Sequence, residues 1–463
     1  LQLPLNNCGV MALDYKGKEG IATAIGHSPV SALIQAGAGS RNSIAEALTN
    51  LVWAPLKEGL RSVSLSANWM WPCRNAGEDA RLYEAVQAAS DFAVALGINI
   101  PTGKDSLSMK QKYPEREVLA PGTVIISAAA HCSDIQKVVE PVFNPEGGPL
   151  LYVNLSGTPF ELGGSSFAQT RGKIGRKAPD IQNPEYFARA FNAIQEMIVN
   201  DKIAAGHDVA SGGLITTLLE GCFTSPDVAA ELDLTPLGEA DTIKVLFAEN
   251  AGLVLQGTDD SLEKSLADKG VEAIPIGKVI RGRELHLKNH RQSMNLEVAA
   301  LRDCWYKTSF LLDREQTAGD LAQSRYENYK NQPLKFRFPK KFKGKLPSLK
   351  GRERPKAAIL REKGSNSERE MAHAMYLAGF DVKDVHMTDL ISGRETLEDI
   401  RFIGAVGGFS NSDVLGSAKG WAGAFKYNKK ANRALHRFFS RPDTLSVGIC
   451  NGCQLFMELE LIH

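Results

Sequence analysis

The residues best suited to chemistry in this 463-residue chain form a thiol elbow and an upstream scatter of carboxylates and amides. The elbow is Leu445-Ser-Val-Gly-Ile-Cys450-Asn-Gly-Cys453-Gln-Leu-Phe-Met457, which reads as strand, sharp turn and helix. Such a turn lifts one side chain out of the sheet toward the N-terminus of the next helix, where free N–H groups favour an anion. Cys450 is therefore placed to react as a thiolate nucleophile. Cys450 and Cys453 also form a C-x-x-C pair, which fits a redox dithiol, half of a zinc site or two buried thiols. A four-thiolate zinc site needs a second pair, and Cys8, Cys73, Cys132, Cys222 and Cys304 stand singly.

Upstream, Ser43 to Val52 spaces Ile44, Ala47, Leu48 and Leu51 on one helical face and sets Glu46 one turn from Asn50 on another. A carboxylate and an amide oxygen so stacked suit a hard cation such as Mg²⁺, and an ordinary solvated face would look the same. Gly103-Lys104-Asp105-Ser106 reads as a turn between apolar segments, with Lys104 able to meet a phosphate and Asp105 a metal. It lacks the glycine spacing of a Walker A loop. Glu161-Leu-Gly163-Gly164-Ser165 is a glycine turn that can bring N–H groups near a phosphate. Asp208, in Gly206-His-Asp-Val-Ala210-Ser-Gly-Gly213, heads a helix, and His207 beside it fits a satisfied polar neighbour equally well.

These segments together resemble the phosphoribosylformylglycinamidine synthase (formylglycinamidine ribonucleotide synthetase) family. Gly448-Ile-Cys-Asn-Gly-Cys-Gln454 is similar to its class I glutamine amidotransferase elbow. Glu46-Ala-Leu-Thr-Asn50 and Gly103-Lys-Asp-Ser-Leu-Ser-Met109 are similar to its ATP-dependent part. The resemblance implies an ATP- and glutamine-dependent ligase of purine biosynthesis. Its ATP phosphorylates the amide oxygen of formylglycinamide ribonucleotide, and ammonia freed from glutamine by the cysteine displaces the phosphate. It implies Cys450 as nucleophile, Gly408 as an oxyanion donor and Asn7, Glu46, Asn50 and Asp208 as Mg²⁺ ligands. Asn6, Lys104 and Ala210 fall on the nucleotide side, toward ATP or a structural ADP.

The chain departs from the family at three places. Asn7 aligns with an aspartate, Ala210 with a serine, and Phe409-Ser-Asn-Ser-Asp413 with Phe-Ser-Tyr-Gly-Asp. An amide for a carboxylate removes a charge from the cation site. A nucleotide-binding half kept only for structure is the alternative expectation.

The elements that must position these residues read as α/β. Synthetase-type domains are expected at 1–140 and 148–300, resembling aminoimidazole ribonucleotide synthetase. A basic linker follows at 301–354, where the sequence turns irregular. A partial flavodoxin-like glutamine amidotransferase domain is expected at 355–463. The lysine- and arginine-rich tract 333–354 reads as a solvated linker in preference to an RNA contact.

Hydrophobic residues at 43%, charged residues at 23% and a net charge of +1 indicate a globular protein without a global pull toward nucleic acid or membrane. Seven irregularly spaced cysteines and no 18-residue apolar run favour a cytoplasmic setting. The stretch is expected to be the second half of a tandem enzyme whose N-terminal half is its missing partner. The family's triad histidine and carboxylate come after the elbow, so this stretch alone is expected to be inactive.

Overall fold

The computed structural model describes residues 6–14, 17–331, 337, 340, 351 and 353–462. The chain divides into two compact units, Leu1–Phe338 and Pro339–His463.

The first unit holds two sheets. The five-stranded sheet runs, edge to edge, Gly9–Ala12, Gly20–His27, Thr123–Cys132, Ser64–Met70 and Asn99–Ser106, antiparallel except for its last pair. Along Gly20–His27 the buried positions are the small residues Gly20, Ala22, Ala24 and Gly26. Their size brings the helix Ala36–Leu51 down onto the strand. A Cβ at Gly26 would lie 2.2 Å from the Ser43 carbonyl oxygen and 2.3 Å from the Ala47 nitrogen.

The seven-stranded sheet runs Gln292–Glu297, Glu284–Asn289, Val228–Asp233, Ile274–Arg281, Leu150–Asn154, Gly252–Gly257 and Ile203–Asp208. Its central strands are buried on both faces, so they read as apolar runs without alternation. Leu151, Val153, Leu253 and Leu255 meet Phe187, Phe191 and Ile194 of the helix Pro184–Val199. Tyr152 and Val254 face Leu214 and Leu218 of the helix Gly213–Cys222. Pro184–Val199 has the expected amphipathic spacing, with proline at its start and the Asn183 side chain accepting from Tyr186 N at 2.9 Å.

Two expectations are corrected here. Gly103 to Ser106 is no turn: it lies in the edge strand Asn99–Ser106, where a Cβ at Gly103 would meet the Ala67 carbonyl oxygen at 2.1 Å. Nor is the sequence irregular from 301, because Val298–Gln316 and Leu321–Asn328 are helices. They bury little besides Val298 and Ala322 and are held by ring stacking, Tyr306 on Tyr329 at 3.8 Å and Phe310 on Tyr326 at 4.7 Å. An aromatic seam on otherwise polar helices gives a weak apolar period. Most of the basic tract lies outside the described residues.

The second unit is a parallel sheet in the order Asp381–His386, Lys356–Arg361, Phe402–Ala405, Leu445–Gly448, the flavodoxin-like arrangement. Its core gathers Ile359, Ile403, Trp421, Phe425 and Phe456. In such sheets ligands bind beyond the carboxyl ends of the strands, where the order reverses. Here that crevice is bordered by the segments after Arg361, Ala405 and Gly448.

Candidate functional sites

Each unit holds one candidate site. In the first, the close approach at Gly26 sets the Glu46 carboxylate over the end of the strand, where Oε2 accepts the His27 N–H at 2.6 Å. One turn on, Asn50 Nδ2 donates to the Ile25 carbonyl at 3.3 Å, which leaves its oxygen uncommitted. Glu46 lines a cavity of about 250 Å³ bordered also by His27, Gly164, Ala210 and Glu249, and Asn50 sits one helical turn beyond it.

Glu249 was not anticipated. Its Oε1 accepts from Ser166 N at 2.7 Å and from Gly212 N at 2.8 Å, tying both glycine turns to one carboxylate. The sequence signal, Ala248-Glu-Asn250 before a buried strand, is slight. Asn250 is the clearer part of it: only 1% exposed, it donates to Ser156, Thr158 and Pro159 and accepts from Glu161 N.

Asp208, 2% exposed, ends the strand Ile203–Asp208, and among the described residues its Oδ2 has no hydrogen-bond partner. Burial first, and then the Asp208 and Glu249 charges, push the Glu46 carboxyl up to about 8 against the lowering effect of His27 N–H. An orphaned buried carboxylate oxygen beside a carboxyl that resists ionisation is the donor set of a cation. Among the described residues no three His, Cys, Asp or Glu side chains form a ready metal cluster. A cation here would therefore draw on two carboxylates, amide oxygen and ligand phosphate, as Mg²⁺ commonly does.

Asn7 closes the back of this site. Trp53 Nε1 can only donate, so the Asn7 oxygen faces it at 2.7 Å and the Asn7 nitrogen faces His207 Nδ1 at 2.7 Å and Asp208 Oδ1 at 3.3 Å. His207 Nε2 in turn lies 2.7 Å from Glu220 Oε2, and Trp305 Nε1 donates to Glu220 Oε1 at 2.8 Å. Asp208 and Glu220 favour a charged ring against its burial. The indole fixes the direction of the Asn7 amide. Asn7 thus offers Asp208 a donor, and no oxygen to a cation. Gly206 leaves room for the indole, since a Cβ there would lie 2.0 Å from the Trp53 ring.

Of the other residues expected at this site, Lys104 stands apart from it. Asn6 is exposed. Lys104 pairs with Asn68, Asn68 with Ile125 and Ile125 with His27, so Lys104 stands three strands away from the cavity edge, its Nζ donating to Ser106 Oγ at 2.7 Å.

In the second unit Cys450 has φ 54° and ψ −115°, a strained conformation for any residue but glycine, costing roughly 1–3 kcal/mol. The glycines around it force the elbow. A Cβ at Gly448 would meet the Gly452 carbonyl oxygen at 2.6 Å, and one at Gly452 the Ala405 carbonyl oxygen at 2.2 Å. The thiol faces the turn after Phe402–Ala405: a Cβ at Gly407 would lie 3.9 Å from Cys450 Sγ. That turn is pinned by a short ribbon in which Ser365 pairs with Gly408 and Asn366 with Gly407.

Phe409 N donates to Gly364 O at 2.9 Å, so the next pair, Ser365 and Gly408, is the one that exchanges no hydrogen bonds. The Gly408 N–H is left free of the ribbon, and Gly408 and Cys450 border one cavity. Ser410 Oγ donates to Asn451 Oδ1 at 2.6 Å, and Asn451 Nδ2 to Asp413 Oδ1 at 3.3 Å, locking elbow and turn together. Asn411, Ser412 and Asp413 all have positive φ, so serine stands in a left-handed position where the family pattern has glycine. Cys450 and Cys453 are both exposed and free.

Three family models match successive stretches of the chain: the FGAR-AT PurM_N-like domain at 1–131, the AIR synthase related protein C-terminal domain at 146–288, and the CobB/CobQ-like glutamine amidotransferase domain at 354–463. Over 99% of its length the chain is 43% identical to a Homo sapiens protein named phosphoribosylformylglycinamidine synthase, covering 35% of it. It is 39% identical, again over 99% of its length, to an Arabidopsis thaliana protein named probable phosphoribosylformylglycinamidine synthase, chloroplastic/mitochondrial, covering 33% of that one. The chain therefore spans about a third of the length of these curated relatives. Among solved structures, T. maritima PurL complexed with FGAR matches with a TM-score of 0.51 and 16% identity, over 64% of this chain and 48% of that one, a likeness of fold. Among the described residues no helix is long and apolar enough to cross a membrane.

Proposed function

We propose that this chain, which belongs to the phosphoribosylformylglycinamidine synthase family, contributes a nucleotide site and a glutaminase elbow to an ATP- and glutamine-dependent ligase. That ligase converts formylglycinamide ribonucleotide to the amidine in a reducing, cytoplasmic setting. The observation that carries the reading is the strained Cys450 backbone at the strand-to-helix elbow, in a cavity that Gly408 also lines.

At this elbow the Cys450 thiolate attacks the δ-carbonyl carbon of glutamine. The carbonyl oxygen becomes an oxyanion, which the Gly408 N–H would receive. Collapse of that adduct, with a proton supplied to nitrogen, expels ammonia and leaves a glutamyl thioester. Water then cleaves the thioester to glutamate and restores the thiol. Cys453, three residues on, takes no part.

In the first unit Glu46, Asn50 and Asp208 would hold Mg²⁺. The ion, when bound, would neutralise phosphate oxygens of ATP or ADP. Glu46 is held ready by His27 N–H, and Glu249 fixes the turns at Ser166 and Gly212 that form the cavity wall. Lys104 belongs to another part of the sheet, so its part in phosphate binding is restricted to a ligand that reaches beyond the cavity.

A second reading, a nucleotide kept as a structural element, is favoured by Asn7, whose amide donates to Asp208 where the family pattern has a further carboxylate. The test of the main reading is Cys450→Ala in the intact enzyme. Glutamine-supported amidine formation is expected to vanish while ammonium-supported formation persists. Retained glutamine use would overturn it.

A further inference from the structure

Ser367 and Glu370 occupy the Ser-x-x-Glu positions of a capping box at the start of the helix Glu368–Ala378. The box is not built. Ser367 sits at φ 68°, makes no side-chain cap bond, and turns its hydroxyl to Asn366 Oδ1 at 3.3 Å. Among the described residues the Glu370 carboxylate has no hydrogen-bond or ion-pair partner. The same unit does complete such a box elsewhere, with Asp389 Oδ2 accepting His386 N at 3.0 Å. A local rule broken at one helix and kept at its neighbour points to function at the first.

Glu370 instead lines the cavity of about 650 Å³ that contains Cys450, Asn366, Gly408 and Gln454. Among the described residues no lysine or arginine lines this cavity, and its other carboxylate, Asp413, is occupied by Asn451 Nδ2 at 3.3 Å and Ala418 N at 3.4 Å. The nucleophile's cavity therefore carries one uncommitted negative charge.

We infer that Glu370 is a specificity residue that receives the α-ammonium group of the amide donor, so that the cavity selects an α-amino acid amide over amides lacking the amino group. The inference rests on Cys450 being the glutaminase nucleophile. Glu370 is an exposed member of the cavity lining, so its carboxylate is open to an ammonium, with which it forms a charge-assisted hydrogen bond.

The test compares two reagents on the intact protein, 6-diazo-5-oxo-L-norleucine and iodoacetamide. The first is an α-amino acid whose diazo carbon takes up a proton and then loses N₂ to the attacking thiolate. The second is a small uncharged alkylator. Glu370→Gln is expected to slow labelling of Cys450 by the amino-acid reagent about tenfold or more and to leave iodoacetamide labelling within about twofold, with Glu370→Asp in between. Equal amino-acid labelling of wild type and Glu370→Gln would overturn the inference. So would a parallel loss with both reagents, which would make Glu370 a support of the elbow. Failure of the amino-acid reagent on wild-type protein that still reacts with iodoacetamide would overturn the glutaminase reading, and this inference with it.

Discussion

The Glu46 carboxylate accepts the His27 N–H at 2.6 Å, a bond that exists because Gly26 lets the Glu46 helix rest directly on the strand. Helix and strand meet so closely that the cavity's acid is set by backbone contact and not by a flexible side chain. Gly26→Ala would place a Cβ 2.2 Å from the Ser43 oxygen and force the two apart. A loss of roughly 2–4 kcal/mol in denaturant unfolding is expected, and an unchanged midpoint would contradict the packing described.

Glu46 also gives a pH dependence whose sign is fixed. An ordinary glutamate ionises near 4.5, whereas here burial and the Asp208 and Glu249 charges raise the carboxyl to about 8. Between those values the folded chain holds the proton that the unfolded chain has lost, so stability falls as pH rises through this window. Glu46→Gln has no proton to lose. Relative to wild type it should gain on the order of 2 kcal/mol between pH 5 and pH 8 in the absence of divalent cation. Parallel stability curves for the two proteins would refute the assignment.

Asn7→Asp restores a carboxylate beside Asp208 and replaces the donor now facing it. In calorimetric titration with Mg-ADP the variant is expected to bind about tenfold more tightly than wild type, and without Mg²⁺ to be less stable through like-charge repulsion. If Asn7 lies outside the cation's reach, affinity will not change.

The strain at Cys450 makes an unusual stability prediction. Glycine adopts φ 54° and ψ −115° more readily than cysteine does, so Cys450→Gly should stabilise the second unit by roughly 1 kcal/mol while removing the nucleophile. Cys450→Ala keeps a Cβ and should give no such gain. Thermal unfolding of the two variants side by side distinguishes strain from a mere loss of the thiol.

The elbow was legible because Gly448, Cys450 and Gly452 write their backbone demands into a few adjacent residues. Pro184–Val199 was legible for a similar reason, its apolar period and its Asn-Pro start both being local. Glu46 and Asn50 were placed together correctly on one helix. What stayed hidden depends on contacts between distant segments. Glu249 gains its role only where Ser166 and Gly212 turn toward it, and the direction of the Asn7 amide is decided by Trp53. Lys104 was misread because glycine suggests a turn, whereas here it marks a close strand approach to Ala67. The helices after Val298 escaped notice because their aromatic seam is too narrow to dominate a polar sequence.

The most direct measurement is an acid quench of the intact enzyme during turnover with glutamine, followed by peptide mapping of the trapped protein. A glutamyl adduct on the peptide containing Cys450, carried by Cys450 and absent from Cys453, is the expected result. An adduct on Cys453, or turnover of glutamine with no adduct on either cysteine, would contradict the elbow as the seat of catalysis.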